Sequence, residues 1–74
     1  MIEPNKFYMV DVDDKLIIAG SFETLEEGED YAYAQGIELL SNDNPFSIWE
    51  GQAITHYGQY VEGGFKIRAG GLVK

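Results

Sequence analysis

The chain lacks cysteine altogether, and it carries five lysine and arginine residues against 13 aspartate and glutamate residues. Without cysteine there are no disulfides, thiolate nucleophiles, zinc fingers or iron–sulfur clusters. No apolar run approaches the roughly 18 residues of a membrane-spanning helix. The first six residues have no basic stretch followed by an apolar one, so a secretory signal is not expected and a cytoplasmic location is. The 74 residues predict one domain, residues 1–74, with a thin core.

Bases are missing from the middle of the chain. Residues 16–65 contain no lysine or arginine and nine acidic residues, and the net charge of the whole chain is −8. Affinity for phosphate depends on lysine and arginine displacing counterions, so direct binding of nucleic acid or of anionic lipid is not expected. The imbalance favours a basic protein partner. The alternative is that the acidity only keeps a small domain in solution.

The N-terminal part predicts a β-hairpin, in which strands at 7–12 and 16–22 flank the turn residues at 13–15. Alternation places Tyr8 and Val10 on one side of the first strand. We expect Phe7, Met9 and Ile17 to lie opposite the face that a single helix can cover. These three residues are therefore the predicted self-association patch, with a homodimer as its outcome.

A helix is predicted over 25–35. Thr24 and Glu27 have the spacing of a capping box, in which the threonine hydroxyl accepts from the third amide of the helix. Gly36 can take the left-handed conformation that ends a helix, which leaves Ile37 to contact Ala32. Helical spacing turns one set of residues towards the hairpin, namely Leu25, Gly28, Ala32 and Gln35, and another towards solvent, namely Glu26, Glu29, Asp30 and Tyr33.

The C-terminal half predicts a loop at 41–45, extended segments at 46–49 and 52–61 with a bulge at Gly58, a turn at 62–64 and a strand at 65–69. The whole pattern therefore predicts an α+β fold with the order ββαββ. In it, two or three antiparallel strands follow the helix, which packs on one face of the sheet.

No motif predicts catalysis, a cofactor or a metal. The aspartates of the 11–14 segment invite a calcium-loop interpretation, but Lys15, Leu16 and Phe22 stand where that loop needs a ligand, a glycine and a glutamate. His56 is the only histidine, so no histidine pair exists for a transition metal. It is expected on a strand with an exposed edge. A small enzyme or ligand-binding domain that uses His56 is the least favoured alternative.

Two segments resemble parts of the peptidoglycan-binding SPOR domain. The residues that carry the likeness are 19–22, read as AGSF before a helix that ends at Gly36, and 65–70, read as FKIRAG. The resemblance implies a small ligand-binding domain. The expected strand order lacks the second helix and the final strand of that family. In size, acidity and layout the chain is also similar to small phage-encoded inhibitors of host machinery.

The favoured hypothesis is a non-catalytic acidic module that occludes a basic surface of another protein by charge and bulk. If that surface holds nucleic acid, the carboxylates would imitate a phosphate backbone, as in a DNA-mimic or anti-CRISPR protein from a phage or mobile element acting in the host cytoplasm. The residues predicted to contact the partner are Glu23, Glu26, Glu27, Glu29, Asp30, Tyr33, Trp49 and Tyr57. The alternative is a structural subunit that assembles through the self-association patch.

Overall fold

The computed structural model describes residues 2–39 and 43–72, and it confirms the α+β class. Two helices accompany a four-stranded mixed sheet with the strand order β3-β1-β2-β4. Residues 40–42, inside or next to the loop predicted at 41–45, lie outside the described residues. No helix within the described ranges is long and apolar enough to cross a membrane. The elements are β1 (Phe7–Asp11), β2 (Leu16–Phe22), α1 (Leu25–Ala34), β3 (Phe46–Glu50), α2 (Gly51–Gly58) and β4 (Lys66–Ile67).

The predicted hairpin is present as antiparallel β1 and β2. In its turn the Asp14 amide donates to the Asp11 carboxylate at 3.0 Å, and the next residue takes a positive φ of 57°. The register is not regular, because Met9 pairs with Ala19 while Val10 pairs with Ile17. This bulge shifts the alternation of β2 by one residue.

Both faces of β1 are buried, and each face has its own core. Met9, Ala19, Phe22 and Ala32 form the α1-side core. Tyr8, Val10, Ile17 and Ile54 form the α2-side core on the opposite face. The expectation that Phe7, Met9 and Ile17 share an uncovered face is therefore wrong. Met9 and Ile17 are each 1% exposed and lie in different cores, because the bulge moves Ile17 to the other face and a second helix covers that face.

α1 begins and ends as its sequence predicts. The Thr24 hydroxyl accepts from the Glu27 amide at 3.1 Å. At the other end Gly36 has a φ of 73°, and the Ile37 amide donates to the Ala32 carbonyl at 2.9 Å, which is the pattern of a Schellman ending. Gly28 is buried against β3, where a Cβ would stand 2.9 Å from the Ile48 side chain. The helix therefore lies close on the sheet.

The strand predicted at 52–61 is wrong, because this segment forms α2, and Gly58 is a helical residue instead of a bulge. No side chain caps its N-terminus. Instead, the Gly51 amide donates to the Lys6 carbonyl at 2.7 Å and the Gln52 amide to the Pro4 carbonyl at 3.0 Å. Ile54 is buried in the α2-side core. Tertiary contacts thus override the strand preference of β-branched and aromatic residues.

β4 is shorter than the predicted strand at 65–69, and it runs parallel to β2 instead of antiparallel. The Lys66 amide donates to the Lys15 carbonyl and the Arg68 amide to the Ile17 carbonyl, both at 3.0 Å. α2 carries the chain from β3 at one edge of the sheet to β4 at the other. A helical connection of this kind is how parallel strands are joined. Because α2 was not predicted, β4 was also predicted in the wrong direction.

Candidate protein-binding groove

An open groove of about 540 Å³ runs beside the C-terminal half of α1. Three of its residues belong to the helix and three to the segment that follows Gly36. The lining combines carboxylates with one aromatic and two aliphatic side chains. The residues are Glu29, Asp30, Tyr33, Ile37, Glu38 and Leu39, and we call this surface the acidic groove.

The end of α1 builds the acidic groove. The left-handed Gly36 reverses the chain, and its amide donates to the Tyr33 carbonyl at 3.0 Å. Ile37 packs against the α1-side core and fixes the returning segment to the helix. Glu38 therefore lies on the same groove as the carboxylates that are one to two turns earlier in the chain.

The acidic groove has no cation of its own among residues 2–39 and 43–72. The Lys6 ammonium lies outside the groove and pairs with Glu23 at 2.5 Å. The hydrogen bond that the Lys6 ammonium donates to Glu23 raises the pKa of Lys6 above its ordinary value of 10.5. The C-terminal end of a helix adds partial negative charge to nearby acidic groups, so the potential in the groove is negative from both sources.

This lining suits a lysine or arginine side chain. Carboxylates accept charge-assisted hydrogen bonds from ammonium and guanidinium groups. Tyr33 is 87% exposed, and its ring face can lie against a cation while its aliphatic neighbours contact the side-chain stem. Metal binding has less support, because the described residues contain no group of three candidate ligands.

The structure divides the predicted partner-binding residues into two groups. Glu26, Glu29, Asp30 and Tyr33 are exposed on α1, as predicted. Glu23 and Glu27 lie at the start of the helix, the first in the ion pair with Lys6 and the second half-buried. Trp49 and Tyr57 do not join them, because they belong to the opposite side of the sheet.

Trp49 and Tyr57 instead line a second groove. Their ring centroids are 5.3 Å apart in an edge-to-face arrangement, and Phe65 lies 5.5 Å from Trp49. This second groove has a volume of about 360 Å³. We call it the edge groove because β3 forms one wall. It is lined by Ile48, Trp49, Glu50, Ala53, His56 and Tyr57. The prediction of a strand position for His56 is wrong, but its side chain is exposed on α2.

The sequence reasoning missed three residues of the acidic groove, namely Ile37, Glu38 and Leu39. The signal that could have found them was the predicted helix end at Gly36. A Schellman turn brings the residues after it back to the last turn of the helix, so the acidic Glu38 next to Ile37 was a candidate for the same surface as Asp30.

No protein-family model, curated protein or solved structure matches the chain. α2 is a second helix, which the predicted ββαββ order lacked, and the SPOR-like segments remain a local resemblance. The two grooves are therefore the features of this chain that point to a function.

Proposed function

We propose that the protein is a non-catalytic binding domain whose acidic groove receives a lysine- or arginine-bearing segment of another protein. The observation that carries this proposal is that three carboxylates, from α1 and from the segment after it, line one groove with an exposed tyrosine. No cation among the described residues pairs with these carboxylates. A partner cation would relieve their mutual repulsion.

The arrangement has the features of an interface centre. Aromatic anchors surrounded by polar groups dominate protein interfaces, and charges speed the encounter and select the partner. Tyr33 is the exposed anchor, and Ile37 offers apolar area beside it. The carboxylates at the rim make binding sensitive to salt.

A surface that normally binds nucleic acid is the partner class we favour. The exposed carboxylates of Glu26, Glu29 and Asp30 span four residue steps, about 6 Å of helix axis. Their spacing is then about one charge per 2 to 3 Å, between the roughly 3.4 Å of one DNA strand and the roughly 1.7 Å of a duplex. Binding there would block nucleic acid by competition for the same lysines and arginines.

The test compares two triple variants that lose the same charge. The groove variant carries Glu29→Gln, Asp30→Asn and Glu38→Gln. The control carries Asp13→Asn, Asp14→Asn and Glu62→Gln, which are exposed positions outside the acidic groove. Calorimetry with an amidated arginine- and lysine-rich octapeptide at two salt concentrations measures binding.

We expect the groove variant to bind at least about tenfold more weakly, and with a smaller salt dependence than the control. In amide NMR spectra the peptide should shift residues 29–39. Circular dichroism checks that both variants are folded. Equal weakening in the two variants would mean that net charge alone attracts the peptide, and the proposal would be abandoned.

A further inference from the structure

β3 is an edge strand with a regular ladder on one side only. It pairs with β1 over five residues without a register shift, and β4 forms the opposite edge with two residues. Edge strands in proteins are usually protected by bulges, lysines or very short length. β3 reads FSIWE and has no bulge and no lysine, and its one charged side chain, Glu50, stands at its end.

The hydrogen bonds at the two ends of the ladder reveal which way the backbone of β3 points. The Gly51 amide donates to the Lys6 carbonyl and the Val12 amide to the Pro45 carbonyl. Donor and acceptor groups alternate in direction along an antiparallel strand, so those of Ser47 and Trp49 point to β1. The N–H and C=O groups of Ile48 and the N–H of Glu50 therefore point away from the sheet at this edge. The Glu50 carbonyl is not available, because Glu50 is the N-cap of α2 and its C=O accepts the first hydrogen bond of that helix.

The edge groove lies directly beside these outward-pointing groups. Trp49, Ala53 and Tyr57 supply its apolar wall on the α2 side, and Tyr57 is 45% exposed. Glu50 pairs with Phe7 in the sheet, so its side chain belongs to the α1 side. A strand laid along β3 would thus meet apolar side chains on one face and a carboxylate on the other.

We infer that β3 is a strand-addition site for an extended segment of a partner protein. The segment alternates apolar residues, which enter the edge groove, with lysine or arginine, which meets Glu50. Main-chain hydrogen bonds to the N–H and C=O of Ile48 and to the N–H of Glu50 supply the affinity, and the alternating side chains supply the selection. This site is separate from the acidic groove and does not depend on it.

Charge decides between this occupant and a second copy of the chain. Residues 16–65, which include all of β3 and α2, contain no lysine or arginine. A second β3 would therefore bring no cation to Glu50, and two chains of net charge −8 would repel each other. A basic segment satisfies the same backbone groups and adds an ion pair.

Glu50 allows a test that leaves the fold intact. Its φ is −70° and its side chain makes no cap hydrogen bond to α2, so proline fits this position. Glu50→Pro removes an outward N–H without breaking the β1 ladder, and Glu50→Gln removes only the charge. The probe is an acetylated and amidated hexapeptide of alternating valine and lysine, with a second peptide N-methylated on the residues that pair with β3.

We expect the hexapeptide to slow hydrogen exchange at the Ile48 and Glu50 amides, which exchange fast in the protein alone. Glu50→Pro should weaken binding by more than about tenfold, because the proline ring removes the N–H donor and also blocks the approach of the peptide. Glu50→Gln should weaken binding by only a few fold, because it removes only the charge. The N-methylated peptide should not bind. Circular dichroism confirms that both variants fold.

Three results would overturn the inference. The first is no binding, or equal binding of the N-methylated peptide. The second is peptide-induced shifts confined to residues 29–39, which would support the acidic groove and reject β3. The third is a concentration-dependent dimer by sedimentation that Glu50→Pro abolishes, because the occupant would then be a second copy.

Discussion

The two sides of the sheet are built by opposite strategies. On one side α1 carries its own start and stop signals, the Thr24 hydroxyl bond and the Gly36 ending, and presents acidic residues to solvent. On the other side α2 has no capping side chain and takes its first hydrogen-bond acceptors from Pro4 and Lys6. Local sequence thus specifies α1, while distant backbone specifies α2.

The two helices also differ at the glycine through which each lies close to another part of the chain. At Gly28 the nearest atoms to an added Cβ belong to the Ile48 side chain, whereas at Gly51 they belong to the Glu3 backbone. A side chain can move by a few tenths of an ångström, but a carbonyl held by the surrounding chain cannot do so without cost. The α2 side is therefore the less tolerant of the two.

The largest effect is expected at this pair of glycines. Gly51→Ala would overlap the Glu3 carbonyl and should lower the free energy of unfolding by about 3 kcal/mol, at the upper end for overpacking. For Gly28→Ala, the crowding of Ile48 is offset by a gain of about 1 kcal/mol in helix propensity, so the net change should stay within about 1 kcal/mol.

Urea denaturation followed by circular dichroism measures both changes. Fluorescence of Trp49, which lies on the α2 side, should follow the same transition as circular dichroism in both variants. Equal destabilisation by the two substitutions would contradict the proposed difference between the helices.

An intermediate effect is expected from removing the α1 cap. Thr24→Ala deletes the hydroxyl that accepts from the Glu27 amide and should cost about 1 kcal/mol of unfolding free energy. Thr24→Ser keeps the acceptor and serves as the control. Glu50→Ala at the corresponding position of α2 should show no cap loss, since no cap hydrogen bond exists there. Thermal denaturation of the three variants compares them.

The smallest effect concerns the ion pair between Lys6 and Glu23. The hydrogen bond to Glu23 raises the pKa of Lys6 from its ordinary value of 10.5, so the charged form is favoured in the folded state. Its contribution is fully present below that ordinary value and is lost as pH rises through the raised pKa. Lys6→Met should therefore lower stability slightly at neutral pH and make no difference above the raised pKa.

Urea midpoints of the wild type and Lys6→Met, taken at about pH 8 and about pH 11.5, test the sign of this linkage. Because the Glu23 carboxylate is exposed to solvent, added salt should shrink the difference at the lower pH. A difference that grows with pH would rule out the ion pair as its cause.

The features that could be predicted from the sequence are those that depend on residues close together in the chain. The hairpin turn, the cap at Thr24, the helix end at Gly36 and the exposed face of α1 follow from residue chemistry within a few positions of each. α2 did not follow, because Ile54, Thr55 and Tyr57 favour strands locally, and the acceptors for its first amides lie more than 40 residues away in the sequence. The bulge that reassigns Ile17 also has no sequence marker such as glycine.

The acidic groove was half predictable for the same reason. Helical spacing placed Glu29, Asp30 and Tyr33 together, but Glu38 joins them only through the turn at Gly36. Trp49 was assigned to the same surface because aromatic residues mark interfaces in general. Which face of the sheet it occupies depends on its pairing with Tyr8, and composition carries no information about that register.

The double burial of β1 ties the two sides into one cooperative unit. Tyr8 and Val10 anchor one core, and Met9, between them in the chain, anchors the other. If either helix detached from the sheet, β1 would lose packing contacts, and the other helix also packs on β1. We therefore expect a single unfolding transition with no half-folded species.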